Sequence, residues 1–233
     1  MIGRGTRLCP NLFGEGRDKS HFQIFDHWGN FDYFEQDYQK AEPSRQKSLC
    51  ELVFEARMKL ADTALEKQHT AGFEVATSLI SKQIADLPTG SIPVKEKWQQ
   101  VLSVSKEEIV REYAAATKAT LQQNIAPLMQ WVDIAKFEEA WKFDRLIAQL
   151  QVELIRGGSK FADLRDAVIN LVSSLRINLS QVKVKISVIE RVKTEDFWNE
   201  VTVGSLEEIR EQLRGIIQFR RKDEVTPFEP VII

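Results

Sequence analysis

Two arginines near the start of the chain, Arg4 and Arg7, have a spacing that suits phosphate chemistry. They lie in the segment GRGTR at residues 3–7, and on a helical turn residues three apart share a face. A guanidinium group is a planar fork of N–H donors that binds phosphate oxygens in pairs, so two of them on one face suit a phosphate group. The alternative is a basic terminus without a ligand. Spacing alone leaves both interpretations open.

No other pattern in the sequence provides a recognisable set of reactive groups. It contains no GxxxxGK[ST] phosphate loop and no HExxH motif, and its three histidines are scattered. Cys9 and Cys50 have no evident histidine and acid beside them, so we expect neither a thiol nucleophile nor a metal site. The segment GGSK at residues 157–160 is typical of a helix stop. We therefore expect that the chain alone cannot complete an enzymatic reaction.

Length and composition predict a globular protein that works in a reducing compartment. The chain has 233 residues, of which 43% are hydrophobic and 28% charged, with a formal net charge of −2. A net charge this small does not indicate nucleic-acid binding, although local basic patches can exist on a neutral protein. Two cysteines do not make a disulfide framework, which favours the cytoplasm. We find no signal peptide and no apolar run that would cross a membrane.

The chain divides by composition and hydrophobic pattern into residues 1–43 and residues 44–233. The first region holds five of the eleven glycines, and Pro43 disfavours helix at the residue before it. Within it, residues 11–20 read as a loop and residues 21–28 as a short buried strand. The second region is predicted to be mainly α-helical and bundle-like.

Four apolar stripes at helical spacing support that prediction. They are Leu49, Leu52, Val53, Ala56 and Leu60; Phe143, Leu146, Ile147, Leu150 and Leu154; Phe161, Leu164, Val168, Leu171, Val172 and Leu175; and Leu206, Ile209, Leu213, Ile216 and Ile217. Residues 182–188 alternate like a strand, but their helical surroundings favour helix. Ser205 and Glu208 have the spacing of a capping box, which predicts that a helix begins at Ser205.

The aromatic and basic residues each allow two interpretations. The aromatic run Phe22, Phe25, Trp28, Phe31, Tyr33 and Phe34 could stack on bases, but such a run more often packs in a core. Four tryptophans of the second region are expected to anchor helix packing: Trp98, Trp131, Trp141 and Trp198. The basic residues near the end are candidates for contact with DNA phosphate or a partner, or form a solvated helix end: Arg210, Arg214, Arg220, Arg221 and Lys222.

Residues 1–8 resemble the last signature motif of superfamily 2 helicases and translocases, Q-x-x-G-R-x-x-R, whose glutamine would lie just before Met1. Residues 22–34 resemble the segment that follows this motif in the R (restriction and motor) subunits of type I restriction enzymes. Residues 197–198 and 206–214 resemble the C-terminal helical region of the same subunits.

The resemblance implies a fold and a set of partners. Residues 1–43 would be the C-terminal end of the second RecA-like motor lobe, a loop-and-strand remnant of an α/β lobe, and residues 44–233 the helical C-terminal domain. In the parent protein, which couples ATP hydrolysis to DNA translocation and cleavage, Arg4 and Arg7 would reach the γ-phosphate of ATP bound with Mg²⁺. This chain lacks the rest of that motor, so it is expected to hold no cofactor itself.

Three functions follow from these patterns as alternatives. The helical region could dock the motor on the methyltransferase and specificity subunits and meet DNA through the parent complex. It could instead be a DNA-contacting element of another superfamily 2 motor. It could also be a free-standing helical interaction module whose N-terminal match is accidental.

Overall fold

The computed structural model describes residues 10–12, 14–19 and 46–221. The chain divides into two units, residues 1–46 and 47–233, and each is considered by itself. The predicted strand at residues 21–28 and the aromatic run at residues 22–34 lie outside the described residues, as does most of the predicted RecA-like remnant at residues 1–43. Of the first unit, residues 10–12 and 14–16 form turns and a bend and residues 17–19 have no regular structure, in agreement with the predicted loop.

The second unit is helical throughout its described part, as the apolar stripes predicted. Residues 46–221 contain no β-strand, and a single antiparallel bridge joins Leu175 to Arg220. The α-helices are α1 (Leu49–Glu66), α2 (Thr70–Ala85), α3 (Ile92–Glu96), α4 (Trp98–Ser103), α5 (Glu107–Glu112), α6 (Ala115–Thr120), α7 (Glu138–Arg156), α8 (Phe161–Ser173), α9 (Ser180–Lys183), α10 (Ile186–Val192), α11 (Glu195–Asn199) and α12 (Val203–Leu213). A π-helical turn (Leu121–Ile125) and 3-10 helices (Ala126–Trp131 and Ile217–Phe219) complete this part of the chain.

Local signals in the sequence explain several helix ends. The Ser48 hydroxyl accepts a hydrogen bond from the Glu51 amide and so caps α1. Gly157 ends α7 in the left-handed conformation at φ 64°, which confirms the helix stop predicted there. The ambiguous residues 182–188 fall in α9, in α10 and in the short break between them, so helix rather than strand is confirmed.

The capping box of α12 differs from the prediction. Thr202, not Ser205, is the N-cap, and its hydroxyl accepts a hydrogen bond from the Ser205 amide while the Ser205 hydroxyl accepts one from the Thr202 amide. The earlier start brings Val203 into the helix, and Val203 is buried in the core. Burial of this apolar side chain accounts for the helix beginning one turn before the predicted residue.

Helix α7 separates two hydrophobic cores. Trp141 and Val152 belong to a core built with α1, α2 and the short helices up to residue 131. Phe143, Ile147 and Leu150 belong to a second core built with α8 and the helices that follow it. Because one helix supplies both cores, side chains on α7 are positioned by packing on both sides, and they hold the two halves of this unit together.

The tryptophan prediction is half right. Trp141 and Trp198 are buried, and the Trp198 indole N–H donates to the Val192 carbonyl, as expected of packing anchors. Trp98 and Trp131 are 41% and 48% exposed, so they are not buried packing anchors. Both belong to short helices, which lack the length to bury every large side chain that they carry.

Candidate functional site

The residues predicted to bind phosphate or a partner lie in different environments. Arg4, Arg7 and Lys222 lie outside the described residues. The two that lie on and just after α12, Arg210 and Arg214, are engaged in ion pairs inside the protein. Arg220 and Arg221 follow the last 3-10 helix. The predicted basic cluster is therefore divided between the protein interior and its surface.

Arg210 is a buried residue held by two carboxylates. Its Nη1 donates to Asp144 Oδ1 at 2.9 Å, and its Nε and Nη2 donate to the two oxygens of Glu207 at 2.8 and 2.7 Å. Only 8% of its side chain is exposed. A guanidinium saturated in this way has no free fork for a phosphate or a partner protein.

Arg214 shares the same acidic partner from one turn further along the chain. Its Nε and Nη2 donate to Asp144 Oδ1 and Oδ2 at 3.2 and 3.0 Å, a two-pronged contact. The side chain is 37% exposed, so one edge of the guanidinium reaches solvent. Contact with an external anion would compete with this internal pair.

Arg220 and Arg221 lie nearer the surface. The Arg220 Nε is 2.9 Å from Glu139 Oε2, in an orientation that makes an ion pair without a hydrogen bond. The Arg221 side chain is exposed, while its backbone amide donates to the Ser174 carbonyl at 2.8 Å. Of the predicted basic cluster, Arg221 is the described residue whose side chain is most open to a partner.

Asp144 is the centre of a buried charged cluster that joins three helices. It lies on α7 and is 1% exposed, and it faces Arg57 of α1 as well as Arg210 and Arg214. We call these four residues with Glu207 the Asp144 cluster. Three guanidinium groups meet two carboxylates in it, and the Glu211 carboxylate lies 3.9 Å from Arg210. The charges therefore nearly balance.

Arg57 is the most deeply placed cation of the cluster. Its Nη1 donates to Gln83 Oε1 at 2.7 Å, its Nη2 is 3.5 Å from Asp144 Oδ2, and its guanidinium carbon lies 5.7 Å from the Trp141 ring centre. Burial lowers the pKa of Arg57 to about 10, against the opposing effect of the Asp144 charge. The group stays charged at neutral pH and needs its partners.

The pKa of Arg210 is shifted in the direction opposite to that of Arg57. Burial alone would lower its pKa, but the hydrogen bond to Glu207 and the charge of Asp144 raise the pKa above its ordinary value. A cavity of about 350 Å³ opens beside the cluster and is lined by its arginines together with Lys82, Asp86 and Glu211. Because the arginines of the cluster are paired with Asp144 and Glu207, the arrangement is suited to locking α1, α7 and α12 together.

The described residues offer little reactive chemistry. Burial raises the pKa of the Cys50 thiol to about 11, so the thiol stays protonated and is a poor nucleophile. In residues 10–12, 14–19 and 46–221 no group of three or more histidine, cysteine, aspartate or glutamate side chains is placed to hold a metal ion. No helix in those ranges combines the length and apolar character needed to span a membrane.

Large apolar side chains lie exposed on the short helices before α5. Ile92 of α3 is 72% exposed, and Trp98 and Leu102 of α4 are 41% and 50% exposed. Trp98 and Leu102 are four residues apart, which places them on one face of α4. We call Ile92, Trp98 and Leu102 the α4 surface. A helix face that leaves Trp98 and Leu102 in water, with Ile92 exposed on the preceding short helix, has the character of a contact surface.

Two further aromatic side chains are exposed around the segment that leads into α7. Trp131 ends the 3-10 helix and is 48% exposed, and Phe137 immediately precedes α7 and is 59% exposed. Sequence reasoning placed Trp98 and Trp131 inside the protein and did not single out Phe137. A signal was present in the polar neighbours of each residue, since no long apolar stripe runs through any of the three positions.

The Asp144 cluster was also missed, although a signal existed. Arg57 falls between Val53 and Leu60 at helical spacing, and Asp144 falls three residues before Ile147. A charged residue that interrupts an apolar stripe indicates a buried pair, because an unpaired charge would be too costly to bury. Two such interruptions of opposite sign, on different helices, indicate partners.

Comparison with known proteins identifies no relative. No protein-family model, no curated protein and no solved structure matches this chain.

Proposed function

We propose that this chain is the C-terminal helical region of the R subunit of a type I restriction enzyme and docks the motor on the methyltransferase–specificity core. The sequence resemblance at residues 1–8, 22–34, 197–198 and 206–214 supports the family. The parent would use ATP and Mg²⁺ to translocate and cleave DNA in the cytoplasm, while this region would carry neither ligand. The single observation that carries the docking role is the exposed α4 surface.

The character of the α4 surface supports docking on a protein. Protein interfaces are enriched in tryptophan and in large apolar side chains at their centres, and exposed apolar area contributes binding free energy when it is covered. Ile92, Trp98 and Leu102 provide such a centre. The surrounding helices form a packed body with its own cores, so force applied at this surface would reach the rest of the unit without passing through a flexible linker.

The engagement of the arginines supports docking over direct DNA binding. A phosphate-contacting surface needs lysine and arginine side chains that are free to replace counterions. Arg210 and Arg214 donate their hydrogen bonds to Asp144 and Glu207. Arg221 is therefore the exposed arginine of the predicted cluster. A DNA-contacting element of another superfamily 2 motor is therefore the second candidate, and a free-standing interaction module is the third.

A salt series separates the first two functions. The purified chain would be titrated into a cognate methyltransferase–specificity complex and, separately, into duplex DNA, with binding followed by calorimetry from low to high salt. Docking through an apolar surface should change little with salt, whereas phosphate contacts weaken steeply as salt rises. Binding to duplex at low salt, without binding to the protein complex at any salt, would contradict the docking function and support the DNA-contacting element.

A further inference from the structure

Helices α1, α7 and α8 leave a groove between them that is separate from both the α4 surface and the Asp144 cluster. Its volume is about 410 Å³. Its floor is apolar and aliphatic, and it is formed by Leu52, Ala56, Val152 and Leu164. Val152 is buried, and the other floor residues are half-buried, so the groove exposes aliphatic surface that a ligand could cover.

The rim of this groove carries an excess of unpaired positive charge. Lys59 of α1, Arg145 of α7 and Lys160, which immediately precedes α8, all line it. None of the three forms an ion pair with another residue that the structure describes. Arg145 thus differs from the arginines of the Asp144 cluster, which lie on the same bundle with their donors occupied.

The acidic side chains of the rim do not cancel that charge. Glu55 is already bonded to the Lys47 ammonium, which lies at 49% exposure outside the lining of the groove. The Glu153 carboxylate is folded against Gly158, at the turn between α7 and α8. Three unpaired cations from three elements therefore surround an apolar floor with one unpaired carboxylate, and the field in the groove favours a negatively charged ligand.

We propose that the α1–α7–α8 groove binds an acidic amphipathic peptide segment of a partner protein. The aliphatic side chains of the peptide cover Leu52, Ala56, Val152 and Leu164, and its carboxylates meet Lys59, Arg145 and Lys160. This is the helix-in-groove or extended-peptide mode of recognition, in which apolar anchors supply affinity and charged flanks supply selectivity. The peptide site is distinct from the α4 surface and does not depend on the function proposed for it.

The lining favours a peptide over nucleic acid. Single-stranded nucleic acid is held by a cationic track together with aromatic side chains on which the bases stack. The ten residues that line this groove include no aromatic residue. A phosphate backbone could use the three cations but would leave the aliphatic floor uncovered, whereas an amphipathic acidic peptide satisfies both features.

The experiment uses a fluorescein-labelled synthetic peptide with leucines spaced three and four residues apart and glutamates flanking them. The whole chain is titrated with this peptide, with a version that carries lysine for every glutamate, and with a labelled single-stranded oligonucleotide. Fluorescence anisotropy should show saturable binding of the acidic peptide. Replacing its leucines by serine should abolish binding, because the floor then has no apolar partner.

A matched pair of charge variants identifies the site. Lys59→Glu with Lys160→Glu reverses two exposed rim cations and should weaken the peptide at least about tenfold. Lys106→Glu with Lys183→Glu makes the same change of net charge at exposed positions outside the groove and should change the affinity less than about twofold. Both pairs lie on the surface, so circular dichroism should show the same helix content in each.

The possible results distinguish the peptide proposal from its alternatives. Equal losses in the two double variants would show that general electrostatics, not the groove, attracts the peptide. Tighter binding of the oligonucleotide, lost on reversing the rim, would replace the peptide by nucleic acid as the ligand. Absence of saturable binding by the acidic peptide would overturn the proposal.

Discussion

The Asp144 cluster and the α4 surface differ in what each one hides from water. The cluster holds three arginines and two carboxylates between α1, α7 and α12, with Arg57, Asp144 and Arg210 buried, whereas the α4 surface leaves Ile92, Trp98 and Leu102 in solvent. Each arrangement departs from the usual preference of charged residues for the surface and apolar residues for the core. The paired charges of the cluster contribute to stability, whereas the exposed apolar side chains of the α4 surface are available for binding.

This difference shows that the burial of a side chain depends on the interaction partners available to it inside the protein, and not on residue type alone. A buried charge is tolerated when its counter-charge and hydrogen bonds are supplied, and Asp144 supplies them to three arginines at once. An exposed tryptophan does not contribute its burial to folding and is free to contribute it to an interface. We therefore expect changes in the cluster to act on stability and changes on the α4 surface to act on binding.

The largest expected effect comes from neutralising the centre of the cluster. Asp144→Asn keeps the shape of the side chain but leaves Arg57 buried without its counter-charge and Arg210 with Glu207 as its remaining close carboxylate. We expect the free energy of unfolding to fall by about 3–5 kcal/mol, which urea denaturation would measure.

Asp166→Asn is the control for that change. Asp166 pairs with Arg165 on the surface, where both side chains are more than a third exposed. Exposed ion pairs contribute little, so the change in unfolding free energy should stay below about 1 kcal/mol. A loss in Asp144→Asn no larger than that in the control would refute the cluster's role as a lock.

A pair of tryptophan variants tests the comparison within one residue type. Trp141→Ala removes a buried ring that also lies over Arg57 and should cost about 3–5 kcal/mol of unfolding free energy. Trp98→Ala removes a ring that is 41% exposed and should cost far less, about 0.5 to 1 kcal/mol. Similar losses in the two variants would mean that Trp98 is as important to the core as Trp141.

A smaller effect is expected from pH, through the buried Cys50 thiol. Its pKa rises from an ordinary value of 9.0 to about 11 in the folded chain, so the folded state keeps a proton that the unfolded state loses. The stability that this provides is complete below pH 9 and is lost as pH rises through 11, by about 3 kcal/mol at most.

Cys50→Ala should make the unfolding free energy fall less steeply between pH 9 and pH 11. Part of the fall should remain, because burial also raises the pKa of the Tyr113 hydroxyl above its ordinary value. Denaturation of both proteins across this pH range is the measurement. An identical slope in the variant and the unchanged protein would show that the thiol does not contribute.

Periodicity alone predicted most of the helical region. The stripe from Phe143 to Leu154 lies in α7, and the glycine at residue 157 ends that helix where it was expected. The predictions that failed depended on competition between neighbouring signals. Thr202 and Ser205 both have the composition of an N-cap, and burial of Val203 decided between them in a way that local sequence does not reveal.

The site residues were harder to predict because their surroundings come from distant parts of the chain. Arg210 carries the same side chain whether it binds a phosphate or an internal carboxylate, and its partner Asp144 lies 66 residues away. Trp98 lies on a short helix without a long apolar stripe, whereas Trp141 lies on α7, whose packing between two cores buries it. The predictions for Arg4, Arg7 and Lys222 stay predictions.

Docking of the α4 surface on the methyltransferase–specificity core is the claim that a binding measurement tests most directly. The double variant Trp98→Ala with Leu102→Ala and a control, Val184→Ala, would each be titrated into the complex by calorimetry; Val184 is an apolar side chain 78% exposed on another segment. We predict that the double variant binds at least about tenfold more weakly while the control binds as the unchanged chain does. Unchanged affinity in the folded double variant would contradict the account.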